Sequence, residues 1–335
     1  MTQMPARSSS VHRALLASAS AALVLLAMPT TALTQVSTWP SKPIRVVVNF
    51  PPGSSPDVLA RAISQPLQQA LGQPVIIEKR AGASGMIGAD LVAKSTADGH
   101  TLLMTAGSTI TTNPFIYASI PYDTEKDLAP VAAVARIVLF LEAKTSLPVK
   151  DAREFLDYLK ANPGKLSYGS AGNATGMHLA GEMFKSQAGV DALHVPYRGS
   201  APALQDLLAG QVDFFFDPGI GLTHVRADKL RLLAVAGMRR SAAFPNVPTL
   251  DELGLKGFDA GQTHGFYAPA GTPAPVVERL NREVNRILAT SAVKAQIETI
   301  GAEATPLTVQ QFATVMADDS KRYGAIIKER NIKAD

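Results

Sequence analysis

The residues best suited to bind a ligand lie in a loop that follows one predicted strand and opens one predicted helix. Residues 50–57 read Phe-Pro-Pro-Gly-Ser-Ser-Pro-Asp, with Ser55 suited to the N-cap and Pro56 to the first helical position. N–H groups at a helix start carry partial positive charge and suit a carboxylate, and Gly53 lets the backbone approach it closely. The alternative is an ordinary capped turn. The candidate ligand-binding residues here are Phe50, Pro51, Gly53, Ser54, Ser55 and Asp57.

Three further loops offer polar groups in the same strand–loop–helix setting. Residues 168–179 read Tyr-Gly-Ser-Ala-Gly-Asn-Ala-Thr-Gly-Met-His-Leu, so hydroxyl, amide and backbone N–H groups can all donate to carboxylate oxygens. Residues 105–112 and 197–202 form shorter polar loops. The candidates from these three loops are Ser108, Ser170, Asn173, Thr175, His178 and Ser200. His178, about one turn inside its helix, fits a structural hydrogen bond better than catalysis.

An acid follows the apolar residues 214–216 at the end of another predicted strand. There Asp217 could receive an amine, amide or hydroxyl group of a ligand. A local turn or cap explains the same acid equally well.

Sequence signals for catalysis, metal binding and cofactor binding are missing. The chain has no dinucleotide fingerprint, phosphate loop, nucleophile elbow or His-Glu-x-x-His motif. We therefore predict a protein that is not an enzyme and has no cofactor and no metal. A remote alternative is an exported serine hydrolase that pairs Ser170 with His178.

The elements that carry these loops alternate between strand-like and helix-like segments, which predicts an α/β fold. Residues 131–142 are apolar and too long for one strand, so the chain could pass there from one domain to another. We predict a first lobe of residues 37–138 plus 267–335 and a second of 139–266. Ligands of open α/β sheets bind beyond the carboxyl ends of the strands, where all these loops lie.

Composition and the first residues bear on the compartment. Hydrophobic residues make up 46% of the 335 and the net charge is only +4, which argues against disorder and nucleic-acid binding. Residues 1–34 combine early positive charge, a short apolar run and small residues, which predicts a signal peptide cleaved near 32–35 and a periplasmic protein. A retained N-terminal anchor is the alternative. The absence of cysteine excludes a lipoprotein anchor and disulfides.

Ordered sequence blocks along the whole mature chain resemble the Bug receptors, the extracytoplasmic receptors of tripartite tricarboxylate transporters. They include Trp-Pro-Ser-Lys-Pro-Ile-Arg, Asp-Gly-His-Thr-Leu-Leu, His-Leu-Ala-Gly-Glu, Val-Pro-Tyr-Arg-Gly-Ser, Gly-Gln-Val-Asp and Ala-Pro-Ala-Gly-Thr-Pro, at 39–45, 98–103, 178–182, 195–200, 210–213 and 268–273. The resemblance implies a two-lobed, type II periplasmic binding protein that closes on its ligand like a Venus flytrap. It also implies a monomer, and we expect its partners to be the membrane subunits of the transporter. The alternative function is a receptor that presents its ligand to a membrane sensor kinase.

The same resemblance assigns roles to the loops. It implies that residues 51–57 hold one carboxylate through backbone amides and water, that Ser170, Asn173, Ala174 and Thr175 meet the other end, and that Asp217 discriminates between ligands. Relatives commonly have Gly-Gly-Ser-Thr-Asp where Gly-Ser-Ser-Pro-Asp stands at 53–57, and glycine in place of Ala174. Because these departures fall at the ligand, dicarboxylates, tricarboxylates, amino acids and aromatic acids all stay open.

Overall fold

Two β-sheets organise the part of the chain that begins at Trp39. The computed structural model describes residues 1–3, 39–329 and 331–333, and Trp39–Asp335 is one compact unit. The predicted signal peptide lies outside the described residues except for its first three, as does its cleavage region. None of the helices in the described ranges is long and apolar enough to cross a membrane.

The first sheet and the helices packed on it form what we call the first lobe. Its strands are β1 (Ile44–Val48), β2 (Val75–Lys79), β3 (Thr101–Thr105), β4 (Leu128–Ile137), β10 (Gln262–Pro269) and β11 (Glu303–Ala304), in the order β11-β4-β10-β3-β1-β2. Strand β1 pairs in parallel with β2 and β3, whereas β10 pairs antiparallel with β3 and β4. The helices are α1 (Ser55–Leu71), α2 (Met86–Ala93), α3 (Gly107–Thr111), α4 (Asn113–Ile116), α9 (Ala274–Leu288), α10 (Ser291–Glu298) and α11 (Val309–Glu329).

The second sheet and its helices form the second lobe. Its strands are β5 (Leu139–Lys144), β6 (Ser167–Ser170), β7 (Leu193–Pro196), β8 (Phe214–Asp217) and β9 (Leu230–Ala236), in the order β7-β6-β8-β5-β9. Strand β6 runs parallel to β7 and β8, whereas β5 is antiparallel to β8 and β9. The helices are α5 (Ala152–Ala161), α6 (Gly176–Ala188), α7 (Ser200–Leu208) and α8 (Leu222–Arg226).

Strand β1 and helix α1 show why the sequence folds this way around the first loop. The β-branched strand Ile-Arg-Val-Val-Val suits a pleated, buried surface, and its aliphatic residues are at most 2% exposed. Helix α1 buries Leu59, Ile63 and Leu67 at helical spacing. The helix begins one residue earlier than predicted: Ser54 is the N-cap and Pro56 the second helical residue, because the Ser54 carbonyl already accepts the Val58 N–H at 3.0 Å.

The chain crosses between the two sheets twice. Strand β4 ends at Ile137 and β5 begins at Leu139, so Val138 alone makes the first crossing. At the second, the Ala260 N–H still donates to Ala236 of β9, whereas Gln262 already belongs to β10. Residues 262–266 therefore lie in the first sheet, although the sequence assigned them to the second lobe. The pairing of β10 with both β3 and β4 fixes them there.

An ionic cluster holds the second crossing against the C-terminal helix. Asp259 Oδ2 lies 2.8 Å from Arg136 Nη2 of β4, and Arg322 of α11 donates to the Asp259 carbonyl at 2.8 Å. The Tyr323 hydroxyl donates to the Gly261 carbonyl at 2.6 Å. Because these partners come from β4 and α11, the crossing is tied to the first lobe.

Candidate functional site

A small cavity lies between the lobes at the carboxyl ends of the strands. Its volume is about 30 Å³, room for about two water molecules. The hinge contributes to it, because residues on both sides of each crossing line its wall. The lining residues are Phe50, Ser54, Ser55, Pro56, Ala106, Ser108, Ile137, Leu139, Ala171, Thr175, Gly176, Met177, Ser200, Pro218, Ala260, Gln262 and His264.

Three helices, α1 from the first lobe and α6 and α7 from the second, begin at this cavity without a side-chain cap. Their N-cap residues are Ser54, Thr175 and Gly199. The Ser54 and Thr175 hydroxyls instead donate to the carbonyls of Pro51 and Gly172, each at 2.7 Å. No N-cap side chain therefore occupies the first-turn N–H groups, and the positive ends of three helix dipoles meet at one place. Such an arrangement favours an anion.

A buried histidine orients one hydroxyl of the cavity. The N–H of Gly107 donates to His264 Nδ1 at 3.4 Å, and His264 Nε2 lies 3.0 Å from Ser55 Oγ. Burial lowers the pKa of His264 to about 3, so the ring is neutral at physiological pH. Because a backbone N–H can only donate, Nδ1 is the acceptor and the ring hydrogen lies on Nε2. That hydrogen donates to Ser55 Oγ, which leaves the Ser55 hydroxyl hydrogen free to donate into the cavity.

Two more polar groups of the cavity have no hydrogen-bond partner among the described residues. They are Gln262 Nε2, of a residue that is 5% exposed, and Ser200 Oγ, of a residue that is 1% exposed. A buried donor without a partner costs about 1–3 kcal/mol. Both groups are therefore suited to bind an acceptor atom of a ligand.

The structure brings part of the predicted set together in the cavity. Its lining includes the predicted residues Phe50, Ser54, Ser55, Ser108, Thr175 and Ser200. Pro51 and Asn173 line an adjoining outer pocket of about 610 Å³, which shares Phe50 and Ala171 with the cavity. The remaining predicted residues line neither space and are Gly53, Asp57, Ser170, Ala174, His178 and Asp217.

Asp57 is turned away from the cavity into its own lobe. Its Oδ2 accepts the Gly53 N–H at 3.0 Å and the Arg61 Nε–H at 3.2 Å, and Lys79 Nζ lies 3.5 Å from Oδ1. The carboxylate thus fixes the turn before α1 and has two basic partners. It also occupies the Gly53 N–H that the sequence offered to a ligand.

Asp217 is wholly buried in the second lobe beside another acid, Glu142. Its Oδ2 accepts the N–H groups of Gly219 and Gly221 at 2.8 and 2.9 Å. Burial raises the pKa of Asp217 to about 7, and burial together with the Asp217 charge raises the pKa of Glu142 well above its usual range. The pair therefore holds a proton at neutral pH, and only the next residue, Pro218, reaches the cavity.

The loop before α6 is supported by two stacked histidines. Ser170 Oγ lies 2.7 Å from His194 Nε2, and the Ala174 N–H donates to His178 Nδ1 at 3.1 Å. The rings of His178 and His194 are 4.2 Å apart and nearly parallel. Ser170 thus contacts a different histidine from the one proposed for a hydrolase, and its hydroxyl lies outside the cavity. Ala174 has φ 63°, a left-handed conformation that glycine adopts more readily than alanine.

Direct contacts join the lobes at the mouth of the cavity. The Ser84 and Tyr117 hydroxyls of the first lobe both donate to the Asn173 carbonyl of the second, Tyr117 at 3.1 Å. We call these three residues the latch. Beside it, a Cβ at Gly199 would lie 2.8 Å from Pro51 Cγ, so this second-lobe glycine packs directly on the first lobe.

Sequence reasoning missed several lining residues, above all Gln262 and His264 of β10. The only signal for them was the polar start of an otherwise apolar strand. Within the described ranges no three acids, histidines or cysteines cluster to hold a metal ion. The chemistry available in the cavity is therefore hydrogen bonding and helix-dipole electrostatics.

Comparison with known proteins supplies the context for this site. The family model described as "Tripartite tricarboxylate transporter family receptor" matches residues 59–332. Protein BugT of Bordetella pertussis is 38% identical over 299 residues, which are 88% of this chain and 91% of that protein. The solved structure of R. palustris Rpa4515 with adipate is 33% identical with a TM-score of 0.85, covering 88% of this chain and 99% of that one. MatC from Rhodopseudomonas palustris with bound malate is 32% identical with a TM-score of 0.81, covering 86% and 100%.

The two sheets, their double crossing and the cavity between them define a two-lobed periplasmic binding protein fold, as predicted. The chain belongs to the tripartite tricarboxylate transporter receptor family, which confirms the resemblance to Bug receptors. This is a family of solute-binding receptors, not of enzymes.

Proposed function

We propose that the protein captures a small carboxylate in the periplasm and presents it to the membrane subunits of a tripartite transporter. The observation that carries the proposal is the meeting of three uncapped helix N-termini from both lobes at one cavity between them. The export-type leader supports the compartment, and family membership supports the transporter. The relatives with adipate and with malate support a carboxylate ligand.

Each lobe would hold part of the ligand. In the first lobe, the α1 N–H groups and the Ser55 and Ser108 hydroxyls would donate to carboxylate oxygens. In the second, the first turn of α6 and the Ser200 hydroxyl would complete the site. A cavity of about 30 Å³ cannot admit an acid of four carbons without the lobes separating. Binding would therefore couple to opening and closing at the two crossings.

Isothermal titration calorimetry of the mature protein with malate, succinate and adipate tests this function, with succinamide and adipamide as neutral controls. We expect acids to bind and the amides not to bind, because the helix ends attract the charge. Ser55→Ala should weaken binding about tenfold, since it removes one hydrogen bond to a charged group. Ser64→Ala is the matched control, because Ser64 lies on the same helix outside the cavity lining and its hydroxyl donates to the Arg61 carbonyl. Tight binding of the amides would refute the proposal, and so would the failure of every acid in a wider panel to bind.

A further inference from the structure

We infer that the cavity selects carboxylic acids that lack an amine and rejects the corresponding amino acids. The inference rests on the proposed carboxylate-binding function and narrows its ligand class. It follows from the charge of the cavity lining, from the direction of its hydrogen bonds and from its apolar walls.

No acidic side chain lines the cavity in the described part of the chain. Three acids adjoin lining residues in sequence, and all three are engaged elsewhere. Asp57 accepts from Gly53 and Arg61, and Asp217 accepts from two glycine N–H groups beneath the second lobe's surface. Asp259 forms ion pairs with Arg136 and Arg322. A ligand ammonium would thus enter a mostly apolar space without a counter-charge, which is costly for any ion removed from water.

The polar groups at the cavity are arranged mainly to donate. Gln262 Nε2 and the first-turn N–H groups of the three helices can only donate. The Ser55 oxygen already accepts from His264, which leaves its hydrogen for the ligand. Hydroxyls such as Ser200 can also accept, but they carry no charge. These groups match carboxylate, carbonyl or ether oxygens and compete poorly with water for an ammonium group.

The remaining wall is apolar. Phe50, Ile137, Leu139 and Met177 surround the space between the polar ends. Methylene groups or a ring would pack against these side chains, whereas an amine at the same place would lose its hydration without a partner. The body of the ligand is therefore hydrocarbon.

Matched ligand pairs that differ only in the amine test the inference directly. Calorimetry would compare succinate with aspartate, glutarate with glutamate, and 3-phenylpropanoate with phenylalanine. We expect the best-bound plain acid to exceed its amino acid by at least about 30-fold in affinity, the effect of an unpaired buried charge. Equal or tighter binding of the amino acid would overturn the inference while leaving carboxylate capture intact. Failure of all plain and amino acids to bind would instead refute the proposed function.

A variant identifies the cause of the selectivity. Gln262→Glu places a negative charge in the cavity at almost constant shape, so the preference for succinate over aspartate should fall at least about tenfold. Gln205→Glu makes the same change on an exposed position of α7 and should leave the preference unchanged. Thermal unfolding of both variants checks that they are folded. An unchanged preference in folded Gln262→Glu would overturn the assignment of selectivity to the uncharged lining.

Discussion

Replacing Tyr117 by phenylalanine should weaken ligand binding by loosening the closed state without damaging either lobe. The half-buried Tyr117 hydroxyl donates to the Asn173 carbonyl across the cleft at 3.1 Å and lies 2.9 Å from the Ser84 hydroxyl. Its removal takes away one contact that joins the lobes, while the ring and the fold of the first lobe stay in place. The Ser84 hydroxyl still reaches the Asn173 carbonyl, so the latch is weakened and not abolished.

The size of the effect follows from the net contribution of one hydrogen bond, about 1 kcal/mol. That energy corresponds to about a fivefold change in an equilibrium constant. Because the contact exists only when the lobes meet, the loss should appear mainly in the dissociation rate. The Kd should therefore rise about fivefold.

Stopped-flow fluorescence with the tightest acid of the calorimetric panel would measure both rates. Tyr158→Phe on α5, remote from the cleft, is the matched control and should not change them. Small-angle scattering in saturating ligand should show a larger open fraction for Tyr117→Phe. An unchanged dissociation rate and an unchanged scattering profile would show that the latch does not contribute to closure.

Three further predictions concern the lobe contact beside the latch, the buried acids and the cavity histidine. Gly199→Ala should weaken ligand binding about tenfold, because its Cβ would lie 2.8 Å from a proline of the opposite lobe. Gly210→Ala controls for backbone strain, because Gly210 also has a positive φ but has nothing within 4 Å of its Cβ position. Equal Kd values for the two variants would contradict the reasoning. Because burial raises the pKa of Asp217 to about 7, the native chain binds more protons than the unfolded chain between about pH 4 and 7, so stability falls as pH rises through that window. Glu142→Gln removes one acid of the pair and should raise Tm at pH 8 by about 2 °C or more relative to wild type, with a smaller gain at pH 5. Scanning calorimetry measures both gains, and equal gains at the two pH values would contradict this prediction. Nitrogen-15 NMR of the imidazole should show His264 neutral at pH 5 with its hydrogen on Nε2, and a protonated ring would contradict the orientation of the Ser55 hydroxyl.

The loops at the cavity could be predicted because their signals are local. A β-branched strand, a glycine- and serine-rich loop and a helix start lie within about a dozen residues around Ser55. Around Thr175 a short strand, a glycine-rich polar loop and a helix start lie equally close together. Parallel strands then place these loops at one edge of each sheet. The alternating segments and the long apolar stretch at 131–142 also predicted the division into two lobes, which the family resemblance implies as well.

The rest of the site depends on contacts that a single sequence does not encode locally. His264 reaches Ser55 from 209 positions away because β10 returns to the first sheet between β3 and β4. Asp57 and Asp217 have the right chemistry for ligand contacts, but nearby glycine N–H groups take their oxygens. Backbone geometry decides whether such a carboxylate accepts from a nearby N–H group or contacts a ligand. The sequence pattern is the same in either case.

The single-residue crossing at Val138 connects the hinge directly to the wall of the cavity. Ile137 and Leu139, its immediate neighbours, both line the cavity, and Gly237 packs on Val138 from the second lobe. If the proposed capture takes place, the ligand would touch the two strands whose junction sets the angle between the lobes. The width of the ligand and the angle of closure would then be coupled through a single residue.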